Sequence, residues 1–257
     1  MKKIILTLLL IENFLTYAEN KKGYNGIIEY SFKSVLFNDD STVSFFDDEN
    51  SECSGIWNQT FSYEISTEGK FYLLILRNKN VKKIFLALKS DYCLILYDTN
   101  NSEPVFLGMA ISATQVESVY FPHHIKATSE LEENNIIYEA ENAANARQDF
   151  PWCEGVHGNG VGQKLEFSVN ASCMVIVTGY ISCTKKHLYE DNSRPKKITV
   201  NFINANKTMS YDLSDTPNPQ LIDFKTNYSG TIEIIIDEVY EGVKYKDTCI
   251  SCIICKY

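Results

Sequence analysis

The chain has 257 residues, 24 Lys+Arg against 33 Asp+Glu, 44% hydrophobic and 12% aromatic content, and eight cysteines. A hydrophobic share of that size excludes a disordered chain, and the length suffices for two modest β domains or one large one. The formal net charge of −9 excludes binding to a nucleic-acid backbone as the main task, because that needs a basic surface.

Lys2 and Lys3 precede an apolar run from Ile4 to Ile11, and Thr16-Tyr17-Ala18 offers small residues where a signal peptidase reads. Residues 1–18 are therefore expected to be a secretory signal peptide, with a core too short to remain as a bilayer span. No later stretch is apolar for the roughly 18 residues a spanning helix needs, so no transmembrane segment is expected. The mature protein should be exported, either periplasmic or secreted.

Residues 24–112 read as one antiparallel β domain, a meander or a partly closed barrel. Runs of Phe, Tyr, Ile, Leu and Val at 42–46, 56–65, 70–77, 82–89 and 92–98 suit a pleated, half-buried surface. Short turn groups such as Ser66-Thr67-Glu68-Gly69 and Arg77-Asn78-Lys79-Asn80 separate them and leave no room for helical crossovers. Residues 113–135 are polar around Phe121-Pro122-His123-His124 and are expected to be a linker.

Export makes disulfides the simplest use of an even set of cysteines. Cys53 and Cys93 lie alone in the N-terminal half and are natural partners. The spacing of Cys249, Cys252 and Cys255 invites a zinc reading, but zinc usually wants two separated ligand pairs. Residues three apart on a strand also point to opposite faces, so no metal site is expected.

From Ile136 the sequence carries Tyr138-Glu139-Ala140-Glu141-Asn142, then Trp152-Cys153-Glu154-Gly155-Val156-His157-Gly158-Asn159-Gly160-Val161-Gly162. Further on come Asn192-Ser193-Arg194-Pro195-Lys196-Lys197, Tyr211-Asp212-Leu213, and the run Val239 to Ser251. These blocks, over residues 136–257, resemble the discoidin-like (coagulation-factor 5/8 type C) domain of the NAD glycohydrolase translocation-domain family. The resemblance implies a galactose-binding-like jelly-roll sandwich that binds glycans or other surface ligands through loops at one end. It implies no NAD chemistry, since the domain is the non-catalytic part of the toxin that named it. The whole chain is thus expected to be all-β, with a small antiparallel domain ahead of the sandwich.

Strands expected in this half cover 164–170, 173–182, 196–203, 207–213, 220–225, 230–240 and 247–255, with Tyr228-Ser229-Gly230 as one of the turns. Trp152, Glu154, Asn192, Arg194 and Tyr240 are the candidate ligand contacts: a stacking ring, a carboxylate, an amide, a planar fork and a phenol from three separate loops. Each has a structural alternative, Trp152 as a core cap and Arg194 as an ion-pair partner of Glu154 or Asp191. Asn142, Gly155, Gly158, Gly160, Gly162, Asp247 and Thr248 are read as residues that shape the loops. Where the family has an Asp-Gly turn that helps hold a cation, this chain has Asn145-Ala146, which speaks against calcium, and no cofactor is expected. Cys252 stands where the family has a glutamate, suggesting a bridge to Cys183 or Cys153.

The function expected is an exported, non-catalytic binding protein that recognises a glycan or cell-surface ligand. An envelope-associated or inhibitor-like protein that contacts other proteins is the alternative. A hydrolase using carboxylates such as Glu154, Asp212 and Asp237 is the third reading, but no motif places two of them on one wall.

Overall fold

A computed structural model describes residues 33–38, 41–47, 55–79, 81–91, 93–109 and 119–256. The expected signal peptide and Cys53 lie outside the described residues, so the Cys53–Cys93 pairing does too. Among the described residues no helix is long and apolar enough to cross a membrane. The chain forms two compact units. One runs to Asp98 and takes in Val105–Ser118; the other comprises Thr99–Pro104 and Val119–Tyr257.

The first unit is a seven-stranded antiparallel sheet whose strand order follows the chain. Its strands are β1 (Lys33–Phe37), β2 (Thr42–Asp47), β3 (Gln59–Glu68), β4 (Phe71–Asn78), β5 (Val81–Lys89), β6 (Cys93–Tyr97) and β7 (Phe106–Met109). Alternate residues share a face of a strand. Phe61 on β3, Leu74 and Leu76 on β4, Phe85 and Ala87 on β5, and Leu94 and Leu96 on β6 therefore meet in one core. Gly69 makes the tight β3–β4 turn: its φ of +58° suits a two-residue hairpin loop, and Glu68 then faces Phe71 directly. Residues 56–58, expected as the start of a strand, form a turn with Gly55 instead, with Asn58 at φ +54°. Trp57 still packs, edge-on against Phe45.

The second unit contains β8 (Val119–Tyr120), β9 (Lys126–Ala127), β10 (Leu131–Glu133), β11 (Ile136–Tyr138), β12 (Trp152–Cys153), β13 (Lys164–Thr178), β14 (Arg194–Phe202), β15 (Lys207–Asp212), β16 (Gln220–Tyr240) and β17 (Cys249–Lys256). One short helix, α1 (Leu188–Asp191), precedes β14. The main sheet runs β12-β17-β13-β16-β14-β15, with β8 on β17 and β9 on β13. Here sequence neighbours are seldom sheet neighbours. β13 and β16 bend so that both halves of each feed one core: Leu165, Phe167 and Ile176 from β13, Ile222, Phe224, Ile232 and Ile234 from β16.

Two expectations fail in this unit. Residues 119–135 are not a linker. β8 and β9 pair into the sheet, Ile125 is buried in its core, and Thr128 N–H donates to Lys164 O at 3.1 Å. Tyr228-Ser229-Gly230 is not a hairpin turn, because β16 continues through it. Tyr228, Ser229 and Gly230 pair in regular register with Ala171, Asn170 and Val169, and the irregularity falls just before them: the pairing steps from Ala171↔Tyr228 to Cys173↔Asp223, and Lys225 takes φ +65°. Tyr228 then anchors the bend through its hydroxyl, which donates to Thr231 O and accepts from Asn204 N.

Candidate functional site

The segments that carry the candidate residues do meet, at the end of the sandwich where β12 and β17 pair. Trp152 faces Ile250 and Cys153 faces Cys249 across that two-residue ladder. Ser193 bridges to Thr248 alongside it, and Ser193 Oγ accepts a hydrogen bond from Gly242 N–H. Three stretches of chain, 152–163, 189–194 and 240–249, are thereby tied to one frame.

Inside that frame the candidate side chains point inward. Trp152 and Glu154 are 0% exposed, Arg194 5% and Asn192 7%. Trp152 caps the main core, and its indole N–H donates to Ser129 O at 3.1 Å. The Glu154 carboxylate accepts from two backbone N–H groups, Val156 at 2.9 Å and Thr248 at 3.2 Å, and so splices the glycine loop to the last strand. Burial pushes its pKa up; the two N–H groups oppose that, and the nearby Asp247 carboxylate adds to it. Thr248 Oγ1 donates to Asn159 O at 2.7 Å, which closes the same loop from the other side.

Arg194 is the most fully engaged of these residues. Its Nε and Nη2 grip Asp215 at 2.8 and 2.9 Å, and Nη1 donates to the carbonyls of Tyr189 and Asn192. Its guanidinium also lies 5.0 Å from the centre of the Tyr189 ring and 5.9 Å from that of Tyr240. A fork fully engaged by a carboxylate and two carbonyls has little left to offer a ligand. Asn192 closes α1, with Nδ2 donating to Leu188 O, and the half-buried Tyr240 donates its hydroxyl to Leu213 O. Of the five residues expected to touch ligand, Trp152, Glu154, Asn192 and Arg194 are buried within this frame, and Tyr240 is half-buried beside it. The partner of Arg194 is Asp215, where Glu154 or Asp191 was expected.

The loop-shaping residues fall around this frame. Asn142 is buried and donates to Pro151 O. Gly158, Gly160 and Gly162 all have positive φ, at +141°, +71° and +87°. At Gly160 a Cβ would also lie 2.4 Å from Cγ of Glu154, so both backbone and space call for glycine there. Asp247 O accepts from Ser193 N–H. Ala146 adopts φ +52° in spite of its Cβ, the conformation that the glycine it replaces would take freely.

Of the remaining carboxylates, Asp237 accepts from Thr199 Oγ1 at 2.7 Å on the sheet surface, and Asp212 is exposed at the end of β15. Among the described residues no group of three or more His, Cys, Asp or Glu could hold a metal ion. Cys255 packs in the main core, whereas Cys249 packs in a small separate cluster with Cys153 and Tyr180. What the frame leaves on the outside is a set of loop tips. Val156, Val161 and Val243 are 37%, 51% and 84% exposed, with Lys244 and Tyr245 following Val243.

No curated protein matches the chain. Among solved structures, an arabinofuranosyltransferase from Mycobacteria is similar at a TM-score of 0.39 and 10% identity, over 55% of this chain; the chain spans 11% of that protein's length. A glycoside hydrolase is similar at a TM-score of 0.35 and 8% identity, over 92% of this chain and 71% of its own. Neither likeness bears on the function here. The sandwich and its glycine-rich loop lie within a span, residues 117–256, that matches a family outright. The chain belongs to the NAD glycohydrolase translocation F5/8 type C domain family.

Proposed function

We propose that this is an exported, non-catalytic binding protein whose sandwich takes a glycan or another cell-surface ligand on the loops at its β12–β17 end. The observation that carries the reading is the division of labour at that end. Glu154, Arg194 and Thr248 hold the loops from inside, while Val156, Val161, Val243, Lys244 and Tyr245 occupy their outer parts. Loops fixed in advance lose little entropy on binding. Tyr245, with the Lys244 ammonium 4.7 Å from its ring centre, offers an aromatic face and a donor suited to a hydroxylated ligand. A shallow site of this kind has affinity on the order of micromolar to millimolar for a small glycan.

The test is a glycan array probed with the full chain, followed by titration of Tyr245→Ala and Val243→Asp. Both variants should lose at least about tenfold in affinity, roughly 1.4 kcal/mol, with the thermal midpoint unchanged. Normal binding by both would move the site elsewhere, and an array without a hit would remove the glycan reading. Ile136 and Ile137, 43% and 53% exposed on the β10–β11 hairpin, favour protein contact as the second reading.

A further inference from the structure

We infer that Cys153 and Cys249 form a disulfide that staples β12 to β17 at the base of the loop frame. The two sulfur atoms are 2.7 Å apart, both side chains are buried, and the residues face each other in the antiparallel register. The type of pair matters. Cys249 donates its N–H to Ser193 O and accepts at its carbonyl from Gly179 N–H, while the neighbouring Glu154 N–H goes to Thr248 O. Cys153 and Cys249 are therefore a non-hydrogen-bonded cross-strand pair, the closer kind, with Cα atoms about 4.5 Å apart. That separation lies within the usual disulfide range of about 4.4–6.8 Å.

The sequence placed Cys153 elsewhere, as one of two partners for Cys252. Cys252 lies in register with Val177 on β13. Only the β12–β17 register brings Cys153 and Cys249 together, across 96 positions of chain.

The chemistry is thiol–disulfide exchange with a small-molecule or protein disulfide, R–S–S–R. One cysteine, deprotonated, attacks it and releases one thiolate. The second cysteine, deprotonated, then attacks the mixed disulfide and releases the other. The two protons lost by the protein end on the two RSH products, and the pair of electrons reduces the oxidant. This exchange belongs to the folding chain. In the closed sandwich both sulfurs are sealed from solvent, and burial together with the neighbouring Cys249 holds the Cys153 thiol well above its ordinary range.

The bond would add what β12 lacks. Two residues of ladder hold this strand, yet it positions both Trp152 and Glu154. A covalent tie between them and Thr248 makes the loop frame independent of that short ladder. The inference rests on the export reading for its oxidising compartment, and on nothing about the ligand.

The full chain, reduced and then refolded in a glutathione redox buffer, decides the matter by peptide mapping without reductant. The expected result is a peptide joining Cys153 to Cys249 that disappears on reduction. The oxidised-minus-reduced difference in thermal midpoint should fall by on the order of 10 °C in the double variant C153A/C249A. If that variant does not fold, the mapping of the unaltered chain stands alone. Recovery of both cysteines as free alkylated thiols, or bridged to other cysteines, overturns the inference. A bridge that forms in the redox buffer but is absent from protein taken from cells overturns the export reading and leaves this one standing.

Discussion

The two units are built from the same material, antiparallel strands rich in Ile, Val, Leu and Phe, and differ in how the strands find one another. In the meander every strand pairs with its neighbour in the chain, from β1 to β7. In the sandwich β17 lies between β12 and β13, and β16 between β13 and β14. A sheet of the first kind is held by hairpins and by apolar side chains, which in β6 are buried on both faces. The second kind must bring distant segments into register, and at its β12–β17 end it does so with buried polar groups. Buried polar groups are specific about their partners, because an unmatched one costs about 1–3 kcal/mol. The apolar meander and the polar loop frame are two answers to the same problem of strand order.

The comparison breaks if damage spreads alike in both units. Phe85→Ala on β5 opens a cavity in the meander and should cost about 3–5 kcal/mol. Hydrogen exchange measured by mass spectrometry should then rise in β4 and β6, the chain neighbours of β5. Arg194→Ala should cost about 3 kcal/mol, the low end for a buried pair because Asp215 is partly open to solvent. Its exchange signature should be scattered along the sequence, at Leu213–Asp215 and across 240–249 as well as at 189–194. An effect confined to residues next to Arg194 would show that the frame is not one cooperative unit.

Gly160→Ala sharpens the comparison further. The positive φ and the contact with Glu154 together should cost about 2 kcal/mol, read as a shift of the urea midpoint. The smallest effect is expected from Glu154→Gln, about 1–2 kcal/mol, since an amide can accept only one of the two backbone N–H groups. Its pH dependence has a definite sign. The folded-state pKa of Glu154 is raised, so the folded protein binds the extra proton more readily and this side chain's contribution is greatest below its unfolded value. That contribution falls as the pH climbs from the ordinary carboxylate value of 4.5 through the raised one. The gap between the unaltered protein and the glutamine variant should therefore be widest in acid and narrow toward neutrality. A gap that widens with pH would contradict this electrostatic account.

How much of this was legible in the sequence follows the same division. The strands of the meander could be read because each is a long apolar run bounded by a short turn. β1 and β7 escaped because Lys33–Phe37 and Phe106–Met109 are too short to show a period. In the sandwich, β8 and β9 have two residues each and sit among polar residues near Pro122, so the stretch resembled a linker. Asn227 to Gly230 has the composition of a turn, and only the long pairing of β16 with β13 shows that it continues a strand. For the loop frame, the sequence pointed to the segments but not to the partners that their side chains find inside it. Arg194 and Asp215 are 21 positions apart, with Asp215 in a group that reads simply as a turn, so nothing local reveals their pairing. The partnership of Cys153 and Cys249 was hidden for the same reason, since it depends on a register that composition does not encode.

The position of β17 imposes an order in time as well as in space. A polypeptide emerges from its N-terminal end, and the meander can add hairpin to hairpin as residues appear. The sandwich cannot. Of its strands β17, Cys249–Lys256, is the last to arrive, and until then β13 lacks one neighbour and β12 has no partner in the sheet. A partly emerged sandwich can pair β13, β16, β14 and β15 with one another, but leaves Trp152 and Cys153 without their ladder. Closure waits for the final eight-residue strand.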